Sequence, residues 1–203
     1  MSTHLERFDR NIQRVDNLCE IFEVVKETSN RPTVKEADVL RAAVVFLHSA
    51  MEDYLRGVLT EYLPECDNRN LENIALYQND GRPGKFSLGT LKSHSELTVS
   101  ELIKKSVEEQ MKHTSFNDTT DIAGWMSRIG ISTSSTNVDL AQLNTTITRR
   151  HKIVHEVDAN QQSGRGYHNA AAINLRTVKA WESNVIAFVN LIESQLPENT
   201  PDA

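Results

Sequence analysis

Residues 34–63, VKEADVLRAAVVFLHSAMEDYLRGVLTEYL, decide the fold. Leu40, Ala43, Val44, Leu47, Met51, Tyr54, Leu55, Val58 and Tyr62 recur at three- and four-residue steps, the period of an α-helix. The apolar arc is broad, so the spacing predicts a central helix with neighbours on several sides. Pro64 closes it, since proline lacks the amide hydrogen that would continue the ladder. His48, Glu52 and Asp53 interrupt the apolar surface near the middle, and His48 and Glu52, four apart, share a flank.

Outward from this segment the same period dominates. Residues 4–28 read as a first helix in which Phe8, Ile12, Val15, Cys19 and Phe22 form a heptad seam, widened by Leu18 and Val25. Two repeats do not make a coiled coil, so this helix packs on its own bundle or also against a second subunit. Asn30 to Thr33, with Pro32, ends it. Asn70–Tyr77 predicts a short helix, Asn79–Gly84 a loop, and Phe86–Leu97 is ambiguous. Ser100–Lys112, with Ser100 as cap, and Thr119–Ile129 predict two further helices. Residues 132–136 form a loop, followed by a helix over Asn137–Glu156. A polar, mobile loop spans Asp158–Asn169, and a long closing helix spans Ile173–Leu196. No alternating strand pattern stands out, so the fold is expected to be all-α, a bundle of four to five main helices. The expected organisation is an N-terminal helix over 1–32, a helical domain over 33–197 and a disordered tail over 198–203.

The hydrophobic fraction of 38% and charged fraction of 25% suit a globular chain. The longest apolar run, Ala42 to Leu47, is far shorter than a membrane span needs. The N-terminus reads straight into a helix without an apolar leader, so a cytoplasmic location is expected. Cys19 and Cys66 lack CxxC spacing and read as free thiols; no second pair of soft ligands supports zinc. His4, His94, His113 and His168 show no metal-site spacing and are expected to be surface residues. No metal or cofactor is expected. A net charge of −6 argues against a general positive field for nucleic acid, but Arg149, Arg150, His151 and Lys152 concentrate positive charge locally.

In the 137–156 helix, Leu140, Leu143 and Ile147, then Val154 and Val157, suggest one apolar stripe, and Arg150 falls inside it. A guanidinium keeps its charge, and burying it unpaired costs several kcal/mol. Arg150 therefore has an anionic partner, or it faces a cleft, a subunit interface or a ligand.

The run Arg150-His151-Lys152-Ile153-Val154-His155 resembles the Arg-x4-His motif of the HEPN superfamily of helical ribonuclease domains, with His151 at its polar second position. The resemblance spans roughly residues 35–195 and is nearest the stand-alone bacterial branches, including RiboL-PSP-HEPN. It implies a metal-independent endoribonuclease whose motifs meet across a homodimer cleft. It further implies a toxin or anti-phage role under an antitoxin, a nucleotidyltransferase-like partner or another defence subunit. Arg150 would clamp phosphate and His155 would act as general acid or base. His151, Arg149, Lys152, Glu52 and His48 are auxiliary or substrate-binding candidates. Arg149 and Lys152 are expected on a solvated face or against the RNA backbone.

Around an ideal helix Arg150 and His155 stand roughly 140° apart. Either the helix ends or kinks near Lys152, or a two-fold dimer supplies complementary halves. Structural roles compete with each assignment: an ion pair from Arg150 to Glu52 or Asp53, and a helix-end histidine at His155. The rival function is a non-catalytic HEPN-like module that binds RNA or protein. A metal-dependent nuclease would need clustered carboxylates, and the chain offers scattered ones.

Overall fold

A computed structural model describes residues 2–26, 33–77, 87–158 and 170–197. Helix α1 spans Thr3–Val25, α2 Val34–Tyr62, α3 Asn68–Leu71, α4 Leu88–Lys92, α5 Val99–His113, α6 Thr119–Arg128, α7 Leu140–His155 and α8 Leu175–Glu193. The described residues contain no strand, and the architecture is all-α. No described helix is long and apolar enough to cross a membrane. The break at 30–32, the 79–84 loop, residues 159–169 with His168, and the 198–203 tail lie outside the described residues.

Each main helix starts at a side chain that satisfies an otherwise orphaned amide. Ser2 accepts from the Leu5 amide, Asp139 from Gln142 and Asn174 from Thr177. Thr33 with Glu36 and Thr98 with Glu101 form reciprocal capping boxes. The α5 cap is therefore Thr98 and not Ser100, because the acidic residue needed three positions on is Glu101. Gly130, at φ 77°, lets the chain leave α6 in a left-handed turn. The expected 70–77 helix shrinks to one turn ending at Leu71.

Helix α2 is the axis of the bundle. Leu40, Val44, Leu47, Met51, Tyr54, Leu55, Val58 and Leu59 are all fully enclosed, each aliphatic contributing roughly 1.5–3 kcal/mol of transfer free energy. Helices α1, α5, α7 and α8 all pack on it. The α1 seam, Phe8, Ile12, Val15, Cys19 and Phe22, is buried inside its own chain, with Phe8 edge-on to Tyr54 at 5.8 Å. His94, expected at the surface, is 5% exposed and donates from Nε2 to the Tyr77 carbonyl at 2.9 Å. Cys19 is buried and Cys66 half-buried, both as free thiols. This packing lays α7 against α2, so the face of α7 carrying Arg150 meets the flank of α2 carrying His48 and Glu52.

Candidate active site on helix α7

Helix α7 runs unbroken to His155, so no kink near Lys152 swings its end. Leu143, Thr146 and Ile147 face the core. The stripe then continues through half-buried Ile153, while Val154 and Val157 are exposed. Val154 is still helical but exposed, because the last turn of α7 is not covered on that side, and Val157 lies off the helical path: Val157 and Asp158 have φ of 52° and 55°.

The two consecutive arginines have opposite fates. Arg149 is not on a solvated face. Its Nη2 donates to Asp158 Oδ2 at 2.8 Å, to the Ala171 carbonyl at 2.9 Å and to the Ala172 carbonyl at 3.1 Å. Arg41 of α2 joins it, donating from Nε to the same carboxylate oxygen at 2.8 Å and from Nη2 to Ala171 at 2.9 Å. Asp158 is 1% exposed. The left-handed turn after His155 folds this carboxylate back beneath the helix, which helical spacing alone does not reveal.

Arg150 is half-buried, and its Nε is enclosed without a hydrogen-bond partner. Among the described residues no carboxylate lies within 4 Å of it. The acids proposed for it are otherwise engaged: Asp53 accepts from Arg7 at 2.6 Å. Glu52 pairs with Arg56 at 3.4 Å and accepts from the Phe116 amide at 3.3 Å. Behind Arg150 sits His48, 2% exposed, its Nδ1 3.8 Å from Glu52 Oε2. Burial lowers its pKa to about 4; Glu52 and the Phe116 backbone oppose the shift, and the charges of Arg150 and Arg56 reinforce it. His48 is therefore a neutral imidazole at pH 7. His48 and Glu52 form a buried polar floor and not a substrate-facing surface.

His151, Lys152 and His155 are exposed. The two imidazoles, one helical turn apart, stand with centroids 4.6 Å apart and tilted by 44°. The last turn of α7 thus presents two imidazole rings, an ammonium, and a guanidinium with no carboxylate partner among the described residues. Together these groups are able to exchange protons and hold an anion. Among the described residues no group of three or more His, Cys, Asp or Glu could hold a metal ion. An apolar cavity of about 670 Å³ lies elsewhere, between the 71–76 segment, Leu91 and α5.

Arg41 and Asp158 escaped the sequence reading. Arg41 carried a usable signal, a charge within the apolar arc of α2 like that of Arg150 in α7. Asp158 carried none, because it follows the periodic segment and looks like an ordinary loop residue.

The sequence profile of the RiboL-PSP-HEPN family matches residues 9–198, and the chain belongs to that family. No curated protein and no solved structure matches the chain.

Proposed function

We propose that this member of the RiboL-PSP-HEPN family is a metal-independent endoribonuclease that works as a homodimer, with Arg150 and His155 as its catalytic residues. The observation that carries this reading is the contrast within α7: Arg149 is paired with Asp158, while Arg150 has no carboxylate within 4 Å among the described residues and shares its helix end with two exposed imidazoles. An uncompensated, partly desolvated guanidinium costs stability and is retained where an anion visits.

The chemistry follows from the groups present. One imidazole takes the proton from a ribose 2′-hydroxyl, whose oxygen attacks the adjacent phosphorus. Arg150 stabilises the added negative charge of the phosphorane as a planar bidentate clamp. A second imidazole, protonated, delivers its proton to the departing 5′-oxygen. The products are a 2′,3′-cyclic phosphate and a 5′-hydroxyl, and no redox partner or metal is needed to balance the step. His151 and Lys152 contact the RNA backbone.

Because α7 is continuous, Arg150 and His155 of one protomer face directions roughly 140° apart. A two-fold partner supplies the complementary half. Exposed Val154, 46% accessible, lies beside His155 on the face we assign to such a partner. The biological role we propose is that of a toxin or anti-phage effector held in check by a second component, an antitoxin, a nucleotidyltransferase-like protein or another defence subunit.

The test is incubation of the purified chain with RNA in EDTA, alongside its oligomeric state in solution. EDTA-resistant cleavage, lost in both Arg150→Ala and His155→Ala, supports the enzyme. A folded dimer that binds RNA or protein and cleaves no RNA establishes the rival reading, a non-catalytic module.

A further inference from the structure

Two consecutive residues after α7, Val157 and Asp158, adopt the left-handed region. For a β-branched residue this is a true outlier, and Val157 is 84% exposed, so no packing of its own side chain favours it. The turn is held by Asp158. Its amide donates to the Lys152 carbonyl at 2.9 Å, and its carbonyl accepts from the Ala171 amide at 2.8 Å. Its carboxylate takes Arg41 and Arg149, both at 2.8 Å. Three separate parts of the chain meet at this one buried group: the end of α7, the first half of α2, and the 171–172 segment leading into α8.

Buried charge clusters of this kind are seldom needed for stability, since apolar replacements of similar volume do as well. Removing one partner, by contrast, strands a buried charge, so the three chain segments meeting at Asp158 are held in one arrangement while the cluster is intact. The rung fixed here is that of Lys152, which lies between His151 and His155. Neither of those rings has a hydrogen bond among the described residues; they touch each other, and the backbone of the last turn sets where that pair stands.

We infer that Asp158 is a positioning residue for the site: clamped by Arg41 and Arg149, it holds the strained Val157–Asp158 turn and thereby the orientation of His151 and His155. Its catalytic consequence rests on the ribonuclease reading above; the geometric claim does not. Glycine adopts the left-handed region freely, so Val157→Gly makes the turn accessible without the clamp.

The experiment compares Asp158→Asn, Val157→Gly and the double variant. Two readouts are used: RNA cleavage, and the imidazole C2–H resonances of His151 and His155. In Asp158→Asn, kcat falls about tenfold or more with KM within about twofold, as expected for misaimed groups, and both resonances shift. Val157→Gly alone keeps wild-type kcat and melts higher. The double variant regains part of the lost kcat and moves both resonances back toward wild type. Should Asp158→Asn not fold, Arg41→Gln, which leaves the Arg149 bond in place, takes over with the same expectation. Unchanged resonances in the folded clamp variant, or a double variant no better than Asp158→Asn, overturn the inference. If the wild-type chain cleaves no RNA, the ribonuclease reading fails by itself, and the resonances still decide the role of Asp158.

Discussion

Arg149 and Arg150 are neighbours on one helix, yet Arg149 lies 2.8 Å from the buried carboxylate of Asp158 while among the described residues Arg150 has no carboxylate within 4 Å. Adjacent residues on a helix point about 100° apart, so one guanidinium reaches the folded-back turn and the other the floor formed by α2. The two substitutions therefore separate stability from function. Arg149→Ala removes a charge-assisted bond to a buried acid and lowers stability by roughly 2–3 kcal/mol. Arg150→Ala removes no hydrogen bond among the described residues, shifts stability by less than about 1 kcal/mol, and lowers cleavage by roughly 10²–10³-fold. Denaturant melts beside cleavage rates check this; equal melting losses in both variants contradict it.

Acid sensitivity should come in part from His48. Its folded-state pKa, about 4, lies below the ordinary value of 6.5. The unfolded chain then binds the extra proton first, so this contribution is complete above about pH 6.5 and is lost as the pH falls toward 4. The full span is worth roughly 3 kcal/mol. His48→Gln should flatten the stability profile across that window, measured by urea unfolding at pH 4.5 and 7.5. A slope equal to wild type would show that other groups carry it.

A cluster between α1 and α8 has the opposite sign. Burial raises the pKa of the Glu182 carboxyl; the ion pair with Lys179, at 2.9 Å, opposes this, and nearby Asp16 adds to it. Burial alone would lower the pKa of Lys179, but its bonds to Asp16 and Glu182 outweigh that and raise it. A raised acid contributes stability fully present below its unfolded pKa and lost as the pH rises through the folded one. Glu182→Gln, which leaves Lys179 its Asp16 partner, should raise Tm at pH 7.5 and leave it little changed at pH 4. A lower Tm at pH 7.5 would mean the Lys179 bond outweighs burial.

Gly57 tests close packing of α1 on α2. A Cβ there would run into the His4 imidazole, which is 2.7 Å from Glu61 Oε2. Helix propensity favours alanine by about 1 kcal/mol, while displacing His4 gives up a partly exposed pair worth up to about 1 kcal/mol. Gly57→Ala should therefore be nearly neutral in wild type. In a His4→Ala background it should stabilise by about 1 kcal/mol, and a double-mutant cycle reads the difference. Additive effects would show that His4 does not crowd the site.

Much of the helical framework was legible along the chain, because helix formation is local. Leu40 to Val58, Phe8 to Phe22 and Leu143 to Ile147 announce their buried faces through spacing alone, whereas the one cap read from sequence, Ser100, lies two residues past the true one, Thr98. The site was legible only in outline. Arg150 stood out as a charge in an apolar stripe, and its family motif followed. The extension to Val154 and Val157 was wrong, because periodicity registers neither where a helix outruns its neighbours, as at Val154, nor a left-handed turn such as the one at Val157.

Sequence by itself determined an all-α chain of the RiboL-PSP-HEPN family and singled out Arg150 and His155 as residues to examine. Tertiary structure alone decided which of two adjacent arginines is neutralised, because that depends on Asp158, Arg41 and Ala171 converging from sites up to 130 residues apart. The burial of His48 was decided the same way. Electrostatic environment depends on distance in space and on exclusion of water, and neither is encoded in the period of a single helix.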